Sequence, residues 1–288
     1  MPGSRSIAVV TDSTASLPDE VATERGIVVL PLQVVIGADS FDESSPEATP
    51  ERVAEALRDY RPVSTSRPTP AAFADLYDRL ARSGTKQVLS IHLSGDMSGT
   101  FESAQLAARD VGVRVVCVDS RQVGVATGYA ALAAADAVGR GASVEEAAEA
   151  ARRRADASSS YFYVDTLEYL RRGGRIGAAA ALLGGALAGK PILTIEDGVV
   201  SSLEKVRTSG RALARLAELA IEAAEGQQVD VCVAHLANPD RSGSLAADLA
   251  TRLAEQLGGR EVWCAEVGAV LGAHVGPGTI AVCISPRL

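Results

Sequence analysis

The chain has 288 residues, 47% hydrophobic and 22% charged, with a net charge of −8 and an isoelectric point near 5.1. That is a globular composition, long enough for one large or two medium domains. The acidic balance argues against a nucleic-acid partner, whose binders usually present a basic face. Aromatics make up only 4%, so the core must be built from Ala, Val, Leu and Ile. Met1–Ser6 carries no signal-peptide or lipidation pattern and leads into a strand, so a cytoplasmic protein without stable membrane insertion is expected. Cys117, Cys232, Cys264 and Cys283 each sit in a β-like run and none forms CxxC. They read as reduced, buried small hydrophobes, and no His or Cys pair has metal-ligand spacing. No metal and no cofactor is expected.

In chain order, Ser6–Val10 reads as a buried strand running into the polar loop Thr11-Asp12-Ser13-Thr14, and a helix starts at Pro18-Asp19-Glu20. Ile27–Ile36 reads as one second strand. Thr49-Pro50-Glu51 opens a helix to about Tyr60, and Arg61–Pro70 is a Pro- and hydroxyl-rich connection before a helix capped by Thr69. Gln87–Leu93 is a third strand. The loop Ser94–Thr100, a helix over about 101–109 and the strand Val113–Val118 follow, then Ala-rich helices over 123–139 and 143–157. The last begins with the capping box Ser143-x-x-Glu146. Strands alternating with helices predict a parallel sheet covered on both faces, with ligands beyond the carboxyl ends of its strands.

The second half differs. A short aromatic strand ends at Val164. Leu167–Arg172 is a brief helical turn stopped by Gly173-Gly174, and Ile176–Ala188 is small and apolar almost throughout. Its ~13 apolar residues fall short of the ~20 that a bilayer span needs, so it is expected to lie against something apolar inside the protein. Ile192–Glu196 and Val199–Val206 form a hairpin around Asp197-Gly198. Helices over 209–224 and 241–257 alternate with strands over 229–235, 261–267 and 279–284. The expected fold is α/β and two-lobed: residues 1–159 form an α/β domain, and residues 160–288 an α+β domain with a mixed or antiparallel sheet.

Several signals have competing readings. Gly184–Lys190 matches GxxxxGK, but Pro191 stands where magnesium needs Ser or Thr, and a strand follows instead of a helix, so it is read as close packing. Ser94 and Ser98 lack a GxSxG elbow. His92 shares a strand face with Ser94, which suggests a catalytic pair or, more simply, a satisfied sheet histidine. Ser98 is a helix cap, an anion ligand, or both. Arg171, Arg172 and Arg175 form a basic cluster at a helix C-terminus, where dipole effects alone favour cations. Arg207 precedes a helix, where the dipole offers nothing, so it calls for an acidic partner or a phosphate. His274 lies in the glycine-rich stretch 268–279, read as a shaped loop in which it is either functional or turn-stabilising.

Five segments in order resemble the DegV family of fatty-acid-binding proteins. They are VTDSTASLP at 10–18, STSRPTPAAF at 64–73, SGDMSGTFESA at 94–104, VDTLEYLRRGGRIG at 164–177 with KPILTIEDG at 190–198, and GAHVGPGT at 272–279. The resemblance implies two lobes with a long-chain fatty acid buried between them, and a separate fatty acid kinase that converts the presented acid to acyl phosphate. It implies a lipid carrier, not an enzyme. Carried over, the carboxylate ligands are Thr65, Ser98 and His274, with Ser66 and Ser94 adjacent, and Arg207 and Arg175 serve partner or phosphate. The resemblance makes Ile176–Ala188 a wall for the tail. Arg67 and Ala188-Gly189 depart from the family pattern. Two rival functions are an acyl hydrolase using Ser98 or Ser94 with His274, and a small-molecule regulatory domain.

Overall fold

Strand β1 (Ile7–Asp12) is buried along its whole length, as a central strand of a covered parallel sheet must be. The computed structural model describes residues 6–184 and 189–288. Pro18 caps α1 (Asp19–Arg25), whose Asp19 and Glu20 lie at its positive end. The expected single strand 27–36 is two, β2 (Ile27–Leu30) and β3 (Gln33–Ile36). Pro31 cannot donate to a ladder, and the chain changes sheets there. After β4 (Asp39–Asp42), Thr49 Oγ1 accepts the Arg52 N–H and starts α2 (Pro50–Arg58). The expected connection 61–70 contains β5 (Val63–Ser66), and Thr69 then caps α3 (Pro70–Arg82).

The next elements are β6 (Gln87–His92), α4 (Thr100–Asp110), β7 (Arg114–Asp119), α5 (Val125–Gly139) and α6 (Val144–Ala157). The Ser143/Glu146 box forms: Glu146 accepts the Ser143 N–H and Ser143 Oγ accepts the Glu146 N–H. The Ser143 N–H and then the Ser143 hydroxyl, both donating to the Glu146 carboxylate, hold that carboxyl below the usual range. Next come β8 (Ser159–Tyr163), α7 (Glu168–Arg172), a 3₁₀ segment over Gly177–Gly184, β9 (Lys190–Glu196) and β10 (Val199–Val206). Asp197 and Gly198 both have positive φ, as the expected hairpin turn requires. The chain closes with α8 (Ser209–Ala224), β11 (Val229–His235), α9 (Pro239–Arg252), α10 (Ala254–Leu257), β12 (Trp263–Glu266), α11 (Ala269–Val275) and β13 (Ile280–Pro286). Among the described residues, no helix is long and apolar enough to cross a membrane.

The elements sort into two compact units, residues 1–33 with 66–156 and residues 34–65 with 157–288. This differs from a division at 159/160, because residues 34–65 bury their apolar side chains against the C-terminal segment. Val34, Ile36, Val53 and Leu57 share a cluster with Ala269 and Ala273 of α11. In the first unit the sheet order is β2-β1-β6-β7, all parallel. Ile7, Val9, Leu89 and Ile91 pack under the alanines of α5 and α6. Val10 and Val88 point the other way, onto Phe73, Leu76 and Tyr77 of α3 and Ala104 and Ala107 of α4. The two-residue period of a strand thus places helices on both faces. In the second unit the order is β10-β9-β8-β13-β11-β12, parallel only at β11/β12, beside the small sheet β4-β3-β5. Leu216 of α8, Leu249 of α9 and Leu253 just beyond it cover one face of the large sheet. Cys232 and Cys283 are buried, but Cys117 is half-buried and Cys264 on β12 is exposed, contrary to the expectation of four buried thiols.

Candidate functional site

Two glycine-bearing segments interlock within the second unit. A Cβ on Gly173 would overlap His274 Nδ1, one on Gly276 the Tyr169 ring, and one on Gly278 the Asp165 carboxylate. Gly276 and Gly278 also have φ of +76° and +90°, which suit glycine on backbone grounds. Gly173 has an ordinary φ of −72°, so its missing side chain serves space alone. At the other end of α11, Glu43 Oε1 accepts the Val270 N–H at 2.8 Å and fixes where the helix begins. His274 therefore stands on a helix and not in the loop expected from its glycines.

So placed, His274 Nε2 lies 2.8 Å from Thr65 Oγ1 on β5. The other ring nitrogen, Nδ1, is buried and has no hydrogen-bond partner among the described residues. Burial first, and the Arg175 charge second, push the imidazole pKa down to about 4. The ring is therefore neutral near pH 7 and carries one N–H. If Nε2–H donates to Thr65, the threonine hydroxyl keeps its proton for a ligand. If Thr65 donates to Nε2, the remaining proton lies on the buried Nδ1, against Gly173.

Arg175 Nη1 donates to the Gly173 carbonyl at 2.7 Å. Arg171 and Arg172 are engaged by Glu168 of the same helix, at 2.7 and 2.6 Å. The arginine hydrogen bonds hold the Glu168 carboxyl down at about 2. Dipole and local carboxylate account for those two cations. Arg207 is exposed between β10 and α8 and has no ion pair among the described residues. Lys190, the lysine of the apparent GxxxxGK, opens β9 and pairs with Asp165 at 3.1 Å, and Asp165 also accepts from Tyr163 OH at 2.7 Å. Ser66 is exposed and donates to the Arg67 carbonyl at 3.4 Å.

The described part of the apolar segment is mostly exposed. Gly177–Gly184 is 3₁₀, with Ala178, Ala180 and Ala181 exposed and Ala179 buried. Gly177 lies so close to the Val200 carbonyl of β10 that a Cβ would overlap it. Residues 185–188, including Ala188, lie outside the described residues.

In the first unit, the loop 94–100 leaves the carboxyl end of β6. Ser94 is fully buried and its Oγ accepts the Asp96 N–H at 3.3 Å. Ser98 is half-buried; its Oγ shares a 2.9 Å bond with Thr100 Oγ1 and accepts the Thr100 N–H at 3.3 Å, but the N-cap of α4 is Gly99 and not Ser98. Arg67 reaches over Gly99 and pairs with Glu102 at 3.1 Å. His92 does not serve Ser94: Nδ1 is 2.8 Å from Asp12 and Nε2 is 2.7 Å from Ser90, so both nitrogens are occupied.

A family model described as "Uncharacterised protein, DegV family" matches residues 6–287. A DegV domain-containing protein of Streptomyces coelicolor is 49% identical over 99% of this chain and 100% of its own length. The chain belongs to the DegV family. Two solved DegV structures resemble it across nearly its whole length. One, from Thermus thermophilus, is described as fatty acid binding by a DegV family protein; it shares 33% identity at a TM-score of 0.90, covering 98% of this chain and 99% of its own. The other, DegV of Bacillus subtilis, is described as a fatty acid binding protein; it shares 33% identity at a TM-score of 0.89, covering 98% and 100%. The two-lobed α/β architecture expected from the DegV-like motifs is the one observed. Reading those motifs did not find the glycine notches of Gly173, Gly276 and Gly278, nor Glu43 under α11. Paired glycines in two separated motifs were the available signal for the first. Nothing in the sequence marks Glu43.

Proposed function

We propose that this DegV family chain binds a long-chain fatty acid and carries it as a non-catalytic protein. The observation that carries the reading is the Thr65–His274 hydrogen bond, made by motif residues 209 positions apart; with Nε2–H as its donor, the Thr65 hydroxyl keeps its own proton for an anionic oxygen. The descriptions of the Thermus and Bacillus relatives support it. A ~16-carbon tail gains roughly 0.8 kcal/mol per buried methylene, about 12 kcal/mol gross, against several kcal/mol of lost freedom. Burying the carboxylate unpaired would be costly, so hydroxyl and imidazole donors are the groups it needs. On the motif likeness, Ser98, with Ser94 and Ser66 adjacent, is proposed as a further head-group ligand, and Arg175 and Arg207 as groups for phosphate or a partner.

The finer reading is that the bound acid is presented to a separate fatty acid kinase, which makes acyl phosphate. Denaturing the purified protein and identifying released lipid by mass spectrometry tests the first part. A long-chain fatty acid is expected, and absence of lipid together with no uptake of added fatty acid overturns it. For the second part, the loaded protein is incubated with ATP and a candidate kinase subunit, and acyl phosphate is trapped with hydroxylamine.

A further inference from the structure

The first unit holds a buried polar chain that the reading above does not use. Tyr77 OH donates to Ser90 Oγ at 2.8 Å, Ser90 Oγ is 2.7 Å from His92 Nε2, and His92 Nδ1 is 2.8 Å from Asp12 Oδ2. Ser90, His92 and Asp12 are all fully buried, and the Phe73 ring meets the imidazole edge-on at 5.0 Å. Asp12 also accepts the Leu93 N–H at 3.2 Å on Oδ2, and the Thr14 N–H at 3.1 Å and the Thr14 hydroxyl on Oδ1. Backbone amides can only donate, so Asp12 is filled as a carboxylate and His92 must present Nδ1–H to it. The protons then run one way, from Tyr77 through Ser90 and His92 to Asp12.

The order Ser, His, Asp is that of a nucleophilic triad, but Ser90 is sealed in the sheet and already accepts from Tyr77. The network also exceeds what joining two strands requires. β1 and β6 are joined by their own ladder, and a well-packed apolar pair would hold them without the cost of a buried charge. What the carboxylate gains is control of two chain exits, Thr14 after β1 and Leu93 after β6. Leu93 is the residue before Ser94. On the far side of the same loop, Asp119, ending β7, accepts the Gly95 N–H at 3.2 Å. Ser94 is thus held between two amides, each fixed by a carboxylate at the end of a neighbouring strand.

We propose that Asp12 and His92 are positioning residues for the head-group loop, setting through Leu93 N–H the point at which residues 94–100 leave the sheet and so the placement of Ser98. This rests on the reading of Ser98 as a carboxylate ligand. Palmitic acid and 1-hexadecanol share a tail and differ at the head, so their affinity ratio reports the head-group site and not the tail site or the fold. Asp12→Asn puts an amide where four donors converge. It is expected to cut the acid-over-alcohol preference by about tenfold, and to remove the hydrogen-bonded His92 Nδ1–H resonance from the proton NMR spectrum. A wild type that prefers the acid, with Asp12→Asn preferring it equally, overturns the proposal alone. A wild type that binds both equally removes the head-group reading and the proposal with it. Should Asp12→Asn not fold, His92→Asn and His92→Leu decide. Asparagine Nδ2 stands where Nδ1 stands and can donate to Asp12; leucine cannot. Acid preference kept in the first and lost in the second supports the proposal, and the two variants behaving alike overturns it.

Discussion

Gly173 is the seat of His274: the imidazole Nδ1 occupies the space that any side chain on residue 173 would fill. The backbone there is ordinary, with φ −72°, so Gly173→Ala introduces a methyl group and no dihedral strain. Overpacking of this kind costs about 1–3 kcal/mol. Here the imidazole must also swing from Thr65. Fatty acid affinity is expected to drop, with a smaller fall in the urea midpoint. Unchanged binding in Gly173→Ala would show that the ring position does not matter.

Thr65→Val keeps the shape of the side chain and removes its hydroxyl, leaving His274 Nε2 without its partner. A buried polar group left unsatisfied costs about 1–3 kcal/mol. Thr65→Ser restores the hydroxyl and should recover most of the loss. Chemical denaturation and fatty acid titration on the two variants check this, and equal behaviour of valine and serine would remove the hydroxyl from the account.

His274 also makes stability depend on pH. Its pKa is about 4 in the folded chain against an ordinary 6.5. Between those values the unfolded chain binds a proton that the folded chain refuses, so the unfolding free energy rises with pH. The contribution is fully present above about 6.5 and is lost as pH falls towards 4. Thermal melts across that window should show a slope that His274→Gln flattens. An unchanged slope would place the acid sensitivity elsewhere.

Gly177→Ala meets two obstacles, a φ of +53° and the Val200 carbonyl. A left-handed conformation alone costs a non-glycine residue about 1–2 kcal/mol. The 177–184 segment should detach from β10 and be cut faster by a protease, with the hairpin β9/β10 retained. Equal cleavage rates in variant and wild type would refute the contact.

Local chemistry was legible where it acts within a few residues. The Ser143/Glu146 box, the Thr49 and Thr69 caps and the Asp197-Gly198 turn each satisfy nearby backbone groups, and α8, β10 and β11 begin and end where those signals and their apolar periods placed them. What escaped depends on distant partners. Pro31 looked like a residue inside one strand, because its effect is to send the chain to another sheet. Helix α11 looked like a loop because Gly272 interrupts it, yet a side chain there would crowd Leu236. Packing, not propensity, chose glycine. The apolar stretch after Ile176 looked buried by composition, but alanines carry little area and several stand exposed. At the candidate site, Thr65 and His274 were each singled out by motif likeness, while the contact between them was not foreseen.

The chain passes from one unit to the other three times, at 33/34, 65/66 and 156/157. Thr65 is the last residue of the excursion, and the helix that completes its partner is made more than two hundred residues later. During synthesis, the cluster of Val34, Ile36 and Val53 stays incompletely covered until Ala269 and Ala273 emerge. Cutting the chain near residue 159 cannot yield two self-sufficient parts: the first keeps the parallel sheet but leaves 34–65 without the α11 side of its cluster. Nascent copies of this protein should therefore expose part of that cluster for most of translation, and premature termination should yield aggregates in place of a functional half.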